Sequence, residues 1–171
     1  MDILALSEQN LDKLIQFEKR ARISEPDIFV HEFDEVKFKS DTLNALKNPL
    51  FSSAQCLMCV DAGGDVVGRI DFSVLSSFAF GGDMRAYVDW VYVLKECRHR
   101  GIAQFLFEKM EEVLTGLGVC EYFLITAENE DAQRFYAGLR NAKIEGQAVL
   151  TKRFINRNCS CAIFKHSSVI Q

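Results

Sequence analysis

The stretch from Tyr87 to Leu117 limits most strongly how this chain can fold. It opens as an apolar run, Tyr87-Val88-Asp89-Trp90-Val91-Tyr92-Val93-Leu94, which suits a buried strand. A basic turn follows, Lys95-Glu96-Cys97-Arg98-His99-Arg100-Gly101. Ile102, Phe105, Leu106, Met110, Val113, Leu114 and Leu117 then recur at helical spacing. A strand that passes through a glycine-bearing turn into a helix is a ready anion site. The first N–H groups of the helix have no internal acceptor, and its dipole favours negative charge.

The rest of the chain sets this unit in a sheet. Met1–Leu6 is a short apolar start, an edge strand. Ser7 stands as an N-cap before a helix to Arg22, and Pro26 closes that region. A second helix is expected from Asp34 to Lys47, ended by Pro49. From Ala54 the pattern turns to period two. Gln55–Asp61 and Val66–Leu75 flank Ala62-Gly63-Gly64-Asp65, a hairpin signal, and Met84–Leu94 is the next strand. Glycines at 116 and 118 stop the helix after Gly101. Tyr122–Thr126 is a short strand and Glu130–Leu139 a helix. Lys143–Phe154 and Cys159–Lys165 are the last two strands. The order β-α-α-β-β-β-α-β-α-β-β contains one β-α-β crossover, whose strands should be parallel and adjacent. The expected fold is therefore α/β (α+β): one domain over 1–171, with a mixed, mostly antiparallel twisted sheet of about seven strands and helices on both faces.

Bulk properties exclude several functions. A net charge of −4 argues against a general nucleic-acid binder. Met1–Leu4 lacks the basic start of a signal peptide, and no apolar run reaches membrane-helix length, so a soluble cytoplasmic protein is expected. Cys56-Leu57-Met58-Cys59 has half a zinc-knuckle spacing, but Cys159-Ser160-Cys161 does not complete it. The six cysteines read as reduced thiols, and no metal is expected. Five acids between Glu25 and Glu35, without lysine or arginine, form either a collar for a cationic substrate or a solvated face.

The element order and two motifs resemble the GNAT superfamily of N-acetyltransferases over the whole chain. The first motif is Arg/Gln-x-x-Gly-x-Gly/Ala after an apolar-aromatic-Val strand end. Here it reads Val91-Tyr92-Val93, then Arg98-His99-Arg100-Gly101-Ile102-Ala103. The second is Asn129, then Ala132 and Phe135-Tyr136. The family often continues Tyr-x-x-Leu-Gly-Phe, whereas this chain has Tyr136-Ala137-Gly138-Leu139-Arg140-Asn141.

The resemblance implies acetyl-CoA as co-substrate and a primary amine, small or on a protein, as acceptor. Backbone N–H groups from His99 to Gln104 would hold the pyrophosphate, with Arg98 and Arg100 adding charge. Val91, Tyr92 and Val93 would pair with the pantetheine arm where two strands splay, and Asn129 would bond it. Tyr136 would protonate the departing thiolate. Asp89 is the base candidate. It is the lone carboxylate in an apolar strand and shares a face with Val91 and Val93 if the pleat is regular. Glu121 and Asp71 are weaker alternatives. Recognition of the acceptor is expected from Glu25–Asn48 and Leu75–Arg85. Two other functions remain open: a non-catalytic acyl-CoA-binding module, and an acyltransferase for a longer acyl group. The assembly is expected to be a monomer or homodimer.

Overall fold

The structure, a computed structural model, describes residues 1–78, 82–127 and 129–146. The chain divides into two compact units, Met1–Ile125 and Thr126–Gln171, taken here one at a time.

The first unit is built on a five-stranded sheet in the order β1-β2-β3-β4-β5. Its strands are β1 (Asp2–Ala5), β2 (Ala54–Val60), β3 (Val66–Ser76), β4 (Met84–Val93) and β5 (Tyr122–Leu124). The first four run antiparallel to their neighbours, and β4 and β5 are parallel. The expected β-α-β crossover is therefore present. Its helix is α3 (Ile102–Gly116). Two helices precede β2: α1 (Leu11–Ser24) and α2 (Glu35–Lys47). The region after Ser7 splits: a 3-10 turn, Glu8–Asn10, leads into α1. Asn10 Oδ1 accepts the Ser7 N–H at 2.8 Å, which fixes that entry. Asp34 caps α2 by accepting the Lys37 N–H at 2.9 Å.

The two sheet faces follow from the pleat. On β3, Gly68 and Ile70 face α3. A Cβ on Gly68 would lie 2.9 Å from Ile102 Cγ2 and 3.2 Å from Leu106 Cδ1, so glycine sets how closely α3 approaches. Arg69 points to the opposite face, where it meets Glu18 of α1 at 2.5 Å. The core is Ile102, Leu106, Met110 and Leu114 under one face, and Leu11, Leu14, Ile15 and Phe17 under the other.

The second unit contains α4 (Glu130–Ala137). Asn141, at φ +62, takes the left-handed position two residues after Leu139. The expected strand at Lys143–Phe154 is irregular over its described part, 143–146. The remainder of it, and the strand at Cys159–Lys165, lie outside the described residues, so the sheet described has five strands where about seven were expected. No helix of the described residues is long and apolar enough to cross a membrane.

Candidate active site

The parallel pairing of β4 with β5 is short. It covers Ala86↔Tyr122, Tyr87↔Phe123 and Val88↔Leu124. On its other edge β4 stays paired with β3 as far as Val93. From Asp89 to Val93 one edge of β4 thus has no strand partner among the described residues. Such an opening lies at the carboxyl ends of the two parallel strands, where ligands of open α/β sheets bind.

The chain leaves β4 through the Lys95–Cys97 3-10 turn and reaches α3 at Gly101. His99 and Gly101 both have positive φ, +59 and +78. Gly101 is the N-cap of α3 in the left-handed region, which a side chain there would strain. The first N–H of α3 to close on a backbone carbonyl is that of Phe105, which donates to Gly101 O at 2.9 Å. The N–H groups of Ile102, Ala103 and Gln104 come before it and are the orphan donors of the helix. The first turn of α3 carries no acidic residue, while those of α1, α2 and α4 all do. At these three helices a carboxylate already answers the dipole; at α3 none does.

The two arginines of the turn differ. Arg100 is exposed and has no ion-pair partner among the described residues. Arg98, expected to bring charge to the anion, is instead committed inward. Its two terminal nitrogens pair with Glu25, and its Nε donates to Val93 O at 3.1 Å. Its contribution to an anion is limited to the backbone. Tyr92 completes this lock: its side chain is buried, and its hydroxyl donates to Glu25. Burial works to raise the Glu25 pKa, but the bonds from Arg98 and Tyr92 overcome it and hold the carboxyl below its ordinary value. Burial and the Glu25 bond push the Tyr92 phenol well up. Glu25 belongs to the acidic run expected to be either a collar or a solvated face; its own charge is neutralised and turned inward. Nothing local marks it, because its partner lies 73 positions away.

Asp89 departs from the regular pleat. Asp71 pairs with Trp90 and Phe72 with Val88, so Asp89 is the extra residue of a bulge. It does not share a face with Val91 and Val93. Its side chain bonds Ser73 Oγ at 3.4 Å, on the face that carries Arg69 and Asp71. Burial raises its pKa, the Ser73 bond works against this, and Asp71 adds to the rise. The alternatives are more engaged: Asp71 pairs with Arg69 at 2.8 Å, and Glu121 pairs with Arg85 at 3.6 Å on the surface. Asp71, Ser73 and Asp89 line a cavity of about 580 Å³ below α2. Cys56 lines it too, and burial, with Asp71 adding to it, pushes that thiol well up, so it is no nucleophile.

In the second unit, Asn129 caps α4 by accepting the Ala132 N–H at 2.9 Å. Tyr136 is buried, and burial raises its pKa, so it stays a phenol at neutral pH.

A mixed sheet opened beside its one parallel pair, with an unanswered helix N-terminus at the opening, defines an acyltransferase fold of the acetyltransferase type. Residues 16–139 match the Acetyltransferase (GNAT) family, and the chain belongs to it. Solved structures share the fold at low identity. A ribosomal-protein-alanine N-acetyltransferase from Brucella melitensis biovar Abortus 2308 is 18% identical with a TM-score of 0.66, over 89% of this chain and 100% of that one. An aminoglycoside acetyltransferase from an uncultured soil metagenomic sample is 18% identical with a TM-score of 0.69, over 91% and 96%. An aminoglycoside 6'-N-acetyltransferase from Acinetobacter baumannii is 16% identical with a TM-score of 0.66, over 91% and 99%. No curated protein matches the chain by sequence.

Proposed function

We propose that this protein transfers an acetyl group directly from acetyl-CoA to a primary amine. The observation that carries the reading is the turn into α3: a left-handed Gly101, three orphan N–H groups and a first turn free of acids, beside the unpaired edge of β4. This cradle suits a pyrophosphate held without metal. The backbone of Val91, Tyr92 and Val93 suits the amides of a pantetheine arm, and the family resemblance adds Asn129 as a further contact. Acetyl-CoA supplies the thioester carbonyl that the amine attacks.

The chain's own residues handle protons. An alkylammonium with a pKa near 10.4 costs about 4.6 kcal/mol to deprotonate at pH 7, more than a thiolate with a pKa near 8.5 costs to protonate. Asp89 takes the ammonium proton, directly or through water. The amine lone pair then forms the C–N bond as the C–S bond breaks; Tyr136 gives its proton to the sulfur, and the second proton shed by the new amide nitrogen returns the Tyr136 phenolate to a phenol through water.

Thiol release from acetyl-CoA, measured across a panel of amines, tests the reading. Release dependent on an amine, with the N-acetyl product found by mass spectrometry, is expected. Cofactor binding without release on any amine would leave a binding module instead, and release only with longer acyl groups would make it a different acyltransferase.

A further inference from the structure

α2 is an amphipathic helix that buries none of its residues. Its half-buried side chains Phe38, Thr42 and Ala45, with the exposed Leu46 at the edge, line the 580 Å³ cavity rather than a packed core. Leu14 and Phe51 line the same space. That volume is typical of a small-molecule site and not of a packing defect.

The polar end of the cavity is defined by one network. Glu18 joins Arg22 to Arg69, and Arg69 joins Glu18 to Asp71. Two arginines and two acids cancel. Asp89 stands beyond them, bonded by the uncharged Ser73 hydroxyl, so the charge left over at this end is negative. Asp71 supplies a second cue. Its Oδ1 is buried and accepts no hydrogen bond among the described residues. A buried acceptor of this kind calls for a donor. Lys47 is at the rim, 3.6 Å from Glu8, with both side chains largely exposed.

We propose that this cavity is the acceptor pocket and that it selects a primary amine carried on a compact apolar body, such as an aralkylamine. This rests on the acetyl-transfer reading above. The ammonium sits against Asp89 with the Asp71 carboxyl behind it, where it meets the uncancelled charge. The apolar body fills the space under α2. A polyhydroxylated amine is disfavoured, because the Phe and Leu wall leaves its hydroxyls without partners. A diamine is disfavoured for the same reason at its second ammonium.

Phenethylamine, phenethyl alcohol and putrescine are the probes. Trp90, the chain's single tryptophan, pairs with Asp71 in the sheet register and reports binding by fluorescence, whether or not acetyl transfer occurs. Phenethylamine is expected to bind, and to be acetylated, with an advantage of about tenfold or more over each of the others. Ala45→Phe fills the cavity from a helix with no buried side chain. It should raise the KM for phenethylamine by about tenfold and leave the melting shift with acetyl-CoA unchanged. Asp71→Asn should weaken phenethylamine and leave phenethyl alcohol as it was; if that variant fails to fold, Ala45→Phe decides. An unchanged amine KM in Ala45→Phe, or a preference for putrescine, overturns the pocket assignment. Trp90-detected binding of phenethylamine without any acetyl-CoA shift would instead keep the pocket and reject the reaction.

Discussion

On one face of the sheet, α3 lies so close that Gly68 leaves no room for a methyl group, and five of its side chains are buried. On the other face, α2 buries none and stands over a cavity of about 580 Å³. The two faces share β3 and β4, and the second is itself divided: α1 buries six residues there and only α2 is loose. The rigid face ends at Gly101 and the orphan N–H groups of α3. Anion binding by backbone dipoles needs that rigidity, since the dipoles work only if they are already aimed. The loose face ends at Asp89 and carries an unanswered charge. An acceptor site tolerates looseness, because the occupant itself completes the packing. The Glu25–Arg98 pair joins the two sides, from the end of α1 to the turn before α3.

Chemistry should break first. Tyr136→Phe is expected to lower kcat by about 10²–10⁴-fold while the melting shift with acetyl-CoA stays as it was. Asp89→Asn should lose on the order of 10²-fold in kcat/KM at neutral pH. Because its pKa is raised, the acid limb of the wild-type profile should sit above the ordinary aspartate value of 3.8, and the variant should lose that limb. A full pH–rate profile of both proteins checks this.

Packing should break next. Gly68→Val forces a branched side chain against Ile102 and should cost about 1–3 kcal/mol. That is a fall of roughly 2–10 °C in Tm. The weakening should extend to acetyl-CoA binding, because the same helix carries the turn. An equal substitution effect without any change in cofactor affinity would separate the rigid face from the site.

The smallest effect is the link between the faces. Glu25→Gln should cost roughly 1–2 kcal/mol at pH 7, given a partly exposed partner. The sign of its pH dependence is fixed by the lowered Glu25 pKa. The stabilisation is fully present above the ordinary value of 4.5 and is lost as pH falls through the lower folded value. Wild type and variant melting temperatures should therefore converge as the pH drops below 4.5.

These contrasts also explain what could be read from sequence. The element order was legible because hairpin glycines and apolar period are local signals; the Gly64 turn and the span of α2 lie where they were expected. The turn from Arg98 to Gln104 was legible because its residues are consecutive. The face of Asp89 was not, since the bulge depends on how Asp71 and Phe72 pair across the sheet. Arg98 misled for a related reason: a basic residue in a basic turn gives no hint of a carboxylate 73 positions earlier. Gly68 carries no signal within the Val66–Leu75 run, because its role appears only when α3 packs on it.

The central claim is that the turn at Gly101 holds acetyl-CoA through backbone N–H groups. Its most direct test is the thermal shift of wild type and Gly101→Glu with acetyl-CoA. At 100 times its dissociation constant the ligand adds about 2.7 kcal/mol, a rise of roughly 5–10 °C at this chain length. The wild type should show that rise and Gly101→Glu none, since the variant strains a left-handed position and sets a carboxylate before the dipole. No shift in the wild type, or an equal shift in both proteins, would contradict the account.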